Sequence, residues 1–450
     1  MISSEIINYE LKDKKALRVQ AVRLDSFDEL SFFKPAGDLN AFKAIVDFYR
    51  DYLVPRYPYL FGTVILYSVD EEADFPFSLD DDMHGHFYDK NSALRRIFEQ
   101  FITCRCGRPA FHDDKVRAYF NQLQSAGRLA VVRGIRGRID LLPVSAELGF
   151  LSGSAGESTV VTNAGFFLFD RMDCRSIYDM IGIPVGLCID RGEILTPPLF
   201  DREALMVSET GQVTVRKVSL DEIDIIIGEN RYHNGINCLI CSRPEYVRTP
   251  AGGSDIIISG NKLAGFRVGG NASVPSGGFV IHLSEQTAMP EVQSVHFEGY
   301  KGITFAMEAG NSAIVDGIMT KKFISPFYDY RRFWRTPFPP ATYPHDYDRD
   351  RAPRMVLGAD ADNRPVILWL EGAGKYSADG RKESAGASLG ETAAICEKLG
   401  LKNAVNLDGG GSAQIIYEAE RHLRISDRDS VDFTEKERAV PIGIMARQHC

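Results

Sequence analysis

Hydrophobic positions fall into two regimes along the 450-residue chain. Up to about residue 140 the spacing is helical in several places. In GDLNAFKAIVDFYRDYLV (37–54), Phe42, Ile45, Val46, Phe48 and Tyr49 recur at the interval that makes one broad apolar face. KNSALRRIFEQFI (90–102) and KVRAYFNQLQSAG (115–127) read the same way, with Gly127 as a stop. ALRVQAVRL (16–24) reads instead as a strand, so this half is either a separate unit or lends strands to the rest. After about residue 140 the pattern changes to short β runs between glycine turns, as in STVVTNAGFF, EIDIIIG, SDIIISG, GGFVIHL and RPVILWL. The fold expected is α+β: a mixed β-sheet core with short crossover helices over 141–450, and a helix-containing N-terminal extension over 1–140.

The C-terminal part carries the sharpest local signals. RPVILWL reads as a buried strand ending at Glu371. Ser388-Leu389-Gly390-Glu391 then opens a helix with a capping box: the serine side chain takes one free N–H, and the glutamate reaches back to the cap. Leu389, Ala393, Cys396 and Leu399 form its apolar stripe, and Gly400 ends it. A strand, NAVNL, follows and ends at Asp408. If the two strands are parallel, Glu371 and Asp408 face the same sheet edge, where open sheets place ligands. Gly409, Gly410, Gly411 and Ser412 come next, before a second apolar run. Three glycines in a row suit a backbone that bends sharply or is approached closely, and successive N–H groups in such a turn can make an anion nest. A tight hairpin with an acidic tip is the simpler reading, and it suits one or two glycines better than three.

Composition narrows the class. The formal charge is −9, which argues against a nucleic-acid or anionic-membrane surface as partner. No apolar run is long enough to span a bilayer. The first residues, MISSEIINYELKDKKAL, lack a basic start and apolar centre, so a cytoplasmic location is expected. Eight cysteines are few for a disulfide scaffold in so long a chain. Cys104 and Cys106, with His112, and Cys238 and Cys241, with His233, could be assembled into a zinc site. NCLICS alternates like a buried strand, however, and the core reading of these cysteines is preferred. His84 and His86 beside Asp80, Asp81 and Asp82 read as a solvated acidic loop. No cofactor is expected; a divalent cation is left open. One segment, 323–353, is dense in aromatics, prolines and arginines. Trp334, Tyr328 and Tyr330 could stack on a sugar or a base, or could equally pack that loop onto the core.

Several segments together resemble the phosphodiester glycosidase family. They are TNAGFFLF (162–169), PVGLCIDRGEIL (184–195), PSGGFVIHLS (275–284), AGNSAIVDGIM (309–319), PRMVLGADADNRPVILWLEG (353–372), GASLGETAAICEKLGLKNAVNLDGGGSA (386–413) and ERAVPIGIM (437–445). They keep the family's order over roughly 300 residues, which makes the set far more specific than any one member. The resemblance implies hydrolysis of a sugar-1-phosphodiester, small-molecule or glycan, at the anomeric C–O bond. Such chemistry needs a carboxylate near an oxocarbenium-like centre and a clamp for the phosphate. The leaving phosphate monoester is a weak base, with a second pKa of roughly 6, so a strong general acid matters less. Asp408 is the first choice for nucleophile or base. Glu371 is the second, although the family often has Asp there, and Glu391 is the third. Arg354 and Arg438 correspond to family arginines and are assigned the phosphate clamp. The N–H groups of Gly409, Gly410, Gly411 and Ser412 would serve the phosphate or a sugar hydroxyl. Asn163 orients substrate or holds the Asp408 loop.

Two other classes fit parts of the chain. One is a non-catalytic binder of phosphoglycans or nucleotide sugars, which the presence of Asp408, Glu371 and both arginines disfavours. The other is a metal-dependent phosphodiesterase cleaving P–O, with Asp360 and Asp362 as ligands. A hairpin turn before RPVILWL explains those two aspartates more simply.

Overall fold

The computed structural model describes residues 2–33, only short stretches between 34 and 148, and then, with gaps of up to 14 residues, 149–321, 351–372, 384–427 and 434–447. The segments 37–54 and 90–101, most of 112–127, His84, His86 and the aromatic loop from 322 to 350 lie outside the described residues.

The strands that position the candidate site are β1 (Ser3–Glu10), β2 (Ala16–Arg23), β3 (Leu30–Phe33), β4 (Thr159–Asn163), β5 (Ser312–Val315), β6 (Ile318–Met319), β7 (Arg354–Ala359) and β8 (Pro365–Leu370). After them come helix α1 (Leu389–Lys398), β9 (Asn403–Asn406), β10 (Ile415–Tyr417) and β11 (Gly443–Arg447). A seven-stranded sheet has the order β1-β2-β8-β7-β9-β5-β6, and a four-stranded sheet the order β10-β4-β11-β3. Every pairing in these two sheets is antiparallel.

Sequence pattern explains the layering. β7 (RMVLGA) and β8 (PVILWL) are buried at every position. Their side chains nevertheless alternate between two cores, as the two-residue repeat of a strand requires. Met355, Leu357, Ala359, Ile367 and Trp369 join one core with residues of β3, β4, β10 and β11. Val356, Val366, Leu368 and Leu370 join the other, which α1 closes with Ala393, Ile395 and Cys396. β1 is half exposed, as suits the outermost strand. The helix forms as its sequence predicts. Ser388 and Glu391 make the reciprocal capping box, and Gly400 (φ +78°) follows the last turn.

Two points bear on the expected layout. Among the described residues antiparallel sheets dominate and α1 is the one long helix; of the helices expected before residue 140, Arg117, Ala118, Asn121 and Gln122 are helical, and the other positions lie mostly outside the described residues. β2 pairs with β8 and β3 with β11, so residues 3–33 are built into the C-terminal core. Of the two readings of residues 1–140, the one in which ALRVQAVRL lends a strand to the main core matches this pairing.

A further group of sheets lies on the other side of a five-stranded sheet that includes Ile303–Glu308 and Glu203–Ser208. Leu187, Ile223, Ile225, Ile256, Phe279 and Ile281 are among the residues of their common core. In that region NCLICS is a strand (Leu239–Ser242) with Cys238 and Cys241 buried. Burial raises both thiols, Cys238 to about 11. Thiols held protonated in a core fit the packing reading of the C-x-x-C. His233 is hydrogen-bonded to Asp224 (2.7 Å). No group of residues able to hold a metal occurs among the described residues.

Candidate active site

β8 and β9 are each antiparallel to β7, which lies between them. They therefore run in the same direction without being neighbours. The shared edge expected for Glu371 and Asp408 is present, with the start of β7 inserted into it. Arg354 pairs with Leu370 on one side. On the other, the register that pairs Val356 with Asn406 carries on through the Leu407 N–H bond to Met355 O (2.8 Å) and brings Asp408 level with Arg354.

The three candidate carboxylates sit in different surroundings. Asp408 is partly accessible at the mouth of the glycine turn. Glu371 is fully buried. Its Oε1 accepts the Arg424 N–H (2.8 Å) and lies 3.3 Å from Arg18 Nη1. Arg18 comes from β2, 353 residues earlier, and nothing near Glu371 in the sequence announced it. Glu391 closes the capping box and is held by Arg351, which also bonds Asp13 (2.7 Å). Hydrogen bonds from Arg351 are the main cause of the lowered pKa values of both Asp13 and Glu391.

That clamp has a pH signature. Carboxylates depressed in the folded state stabilise it above their unfolded pKa, and the contribution is lost as pH falls through the folded value. Wild type is expected to be more stable than Arg351→Met at pH 7, with the two converging in strong acid. Denaturant midpoints across that range measure it, and a gap that does not change with pH contradicts the assignment.

Asn163 is bonded to both ends of the glycine turn. Its Nδ2 donates to Asp408 O (2.7 Å), and its Oδ1 accepts the Gln414 N–H (3.2 Å). A single buried amide thus spans the glycine turn from entry to exit. Within the turn, Gly410 N–H donates to Pro353 O (3.0 Å) and Ser412 N–H to Gly409 O (3.1 Å). Those two donors are used inside the protein, whereas the sequence reading had the turn's N–H groups serve a phosphate or a sugar hydroxyl.

The arginines also divide. Arg354 is buried, and its Nε donates to Ala387 O (3.0 Å) in the lead-in to α1. Arg438 is partly exposed and grips Asp427 with two bonds, Nε to Oδ2 (2.9 Å) and Nη2 to Oδ1 (3.1 Å). Asp427, Arg18, Arg421 and Glu437 escaped the sequence reading. Arg421 bonds both Gln414 (2.7 Å) and Glu437 (3.1 Å), bracing the strand that leaves the turn. Buried Glu308 was also missed, although it stands immediately before the AGNSAIVDG segment. Its Oε2 accepts the N–H groups of Leu187 (2.8 Å) and Leu199 (3.1 Å), tying two family-like segments together.

Asp360 and Asp362 form a hairpin turn. Asp360 Oδ1 accepts the N–H groups of Asp362 and Arg364 (both 2.9 Å), and Asp362 pairs with Arg364. A separate cavity of about 430 Å³, lined by Arg191, Glu209, His296, Tyr300 and Lys301 among others, shares no residue with the Asp408 edge. No helix among the described residues is long and apolar enough to cross a membrane.

No curated protein sequence matches the chain. Among solved structures, a hypothetical protein from Synechocystis aligns with 99% of this chain at 14% identity and a TM-score of 0.45; the alignment spans 62% of that protein. The zebrafish N-acetylglucosamine-1-phosphodiester α-N-acetylglucosaminidase catalytic domain, auto-inhibited by its pro-peptide, aligns with 100% of this chain and 83% of its own at 10% identity, with a TM-score of 0.38. Likenesses this distant decide nothing about fold or chemistry. Residues 245–447 match the sequence model of the phosphodiester glycosidase family. Over that stretch, which includes Arg354, Glu371, Asp408, the glycine turn and Arg438, the resemblance to this family is borne out.

Proposed function

We propose that the chain is a hydrolase that splits a sugar-1-phosphodiester at the anomeric C–O bond, giving free sugar and a phosphomonoester. The observation that carries this reading is the setting of Asp408: a partly accessible acidic residue at the edge of the central sheet, on a glycine turn that Asn163 holds from both sides. Asp408 serves as nucleophile or base towards the anomeric carbon. Arg438, the more accessible of the two family arginines, meets the phosphate. Arg354 holds the sheet edge in place. The low basicity of the departing phosphate explains why a second accessible carboxylate is not required. Glu371 and Glu391 are assigned structural work, since buried ionic and capping partners already engage them.

Hydrolysis of a panel of sugar-1-phosphodiesters and nucleotide sugars in oxygen-18 water tests the reading. Label in the sugar supports C–O cleavage. Label in the phosphate means P–O cleavage, the chemistry of a phosphodiesterase, and overturns it.

A further inference from the structure

Arg438 already holds an anion beside the glycine turn, and it belongs to the protein. Asp427 presents its carboxylate to Arg438 through two parallel bonds of 2.9 and 3.1 Å. The same carboxylate lies directly on Gly411: a Cβ built there would stand 2.2 Å from both oxygens and 2.3 Å from Cγ. Any other residue at 411 would push Asp427 away, which gives the third glycine its physical reason. Next to it, Ser412 is fully buried, and its Oγ has no hydrogen-bond partner among the described residues. A buried hydroxyl with nothing to bond costs stability.

We propose, building on the glycosidase reading, that Asp427 sits in the seat of the substrate's phosphoryl group and that substrate phosphate displaces it from Arg438. Carboxylate and phosphate offer an arginine fork the same pair of acceptor oxygens, so one seat serves both. Both side chains are reachable from solvent, with relative exposures of 25% for Arg438 and 32% for Asp427, so exchange requires no unfolding. The seat lies on Gly411, in the same glycine turn that Asp408 opens. An internal competitor lowers apparent affinity by the fraction of molecules in which the seat is closed. The same factor applies to a lone phosphate and to a phosphodiester, since both need the open seat.

The test is calorimetric titration of the full chain with inorganic phosphate at fixed ionic strength, for wild type, Asp427→Asn and Arg438→Met. Asp427→Asn is expected to bind phosphate more tightly, by roughly tenfold if the seat is open in about a tenth of wild-type molecules. Arg438→Met is expected to lose binding. Asp427→Ser, with the same expectation, replaces the asparagine variant if that one fails to fold by circular dichroism. Equal or weaker binding by the Asp427 variants overturns the proposal, because Asp427 would then merely orient Arg438. Binding that survives Arg438→Met, or no binding by any variant, also overturns it. Turnover of the phosphodiester panel separates the two readings. Tighter phosphate without any turnover keeps the seat and removes the glycosidase, and turnover without the gain in phosphate affinity does the reverse.

Discussion

Replacing Asp408 with asparagine is expected to abolish turnover of the phosphodiester substrate, by about 10³-fold or more in kcat, while leaving the fold in place. Three observations separate this residue from the other acids. It is partly accessible at the sheet edge, whereas Glu371 is buried against Arg18 and Glu391 is committed to the capping box. Its main chain is fixed, through the Asn163 bond to its carbonyl and the backbone bond from its N–H to Ala164 O (3.4 Å), so its side chain starts from one position. Fixed geometry is what makes a nucleophile or base effective. Asparagine keeps the shape and removes the charge that an oxocarbenium-like centre needs nearby. Steady-state kinetics with a thermal unfolding control measures the effect. An Asp408→Asn protein that folds and retains more than about a tenth of wild-type kcat removes the residue from the chemistry. Asn163→Ala offers a graded companion, since it slackens the turn without touching the carboxylate. It should lower kcat less than Asp408→Asn does, because a loosened loop still visits the productive geometry.

Local signals were legible in the sequence, and long-range partnerships were not. The helix from Leu389 to Lys398 was readable because its start, stripe and stop all lie within a dozen residues and each has its own chemistry. The glycine turn was readable for the same reason. The shared edge of Glu371 and Asp408 could be expected from a strand-helix-strand order. That β7 would lie between the two strands could not, because antiparallel neighbours leave no local mark of which strand they join. Glu371 shows the limit most clearly. Its sequence context, the end of an apolar strand beside glycine, suits a catalytic acid and a buried anchor equally well. The choice is made by Arg18, brought in by an N-terminal strand whose place, in a separate unit or in the main core, the sequence left open. Asp427 was equally silent. A carboxylate in a polar run, RISDRDS, shows its purpose only when folding lays it on Gly411 and against Arg438.

Glu371 then gives the largest expected effect on stability. Arg18→Met should destabilise the protein by about 2–3 kcal/mol, somewhat below the usual cost of breaking a buried pair. The discount follows from Arg18, whose side chain is 33% exposed while that of Glu371 is 1% exposed. Water therefore already supports the cation, and removing it mainly strands the anion. The Arg424 N–H bond to Oε1 and the other groups around the carboxylate soften the loss without cancelling the charge. Because β2 is the strand through which residues 3–33 join β8, the deficit falls on the join between the N-terminal strands and the central sheet. Denaturant titration reads it as a lower midpoint at an unchanged slope. The double variant Arg18→Met with Glu371→Gln should recover part of the loss, since a neutral amide no longer needs the missing cation. Glu371→Gln alone should change stability and leave kcat within a few-fold of wild type. A fall in kcat as deep as that of Asp408→Asn, in a protein with normal stability, would return Glu371 to the reacting groups and make the Arg18 pair a device for tuning it.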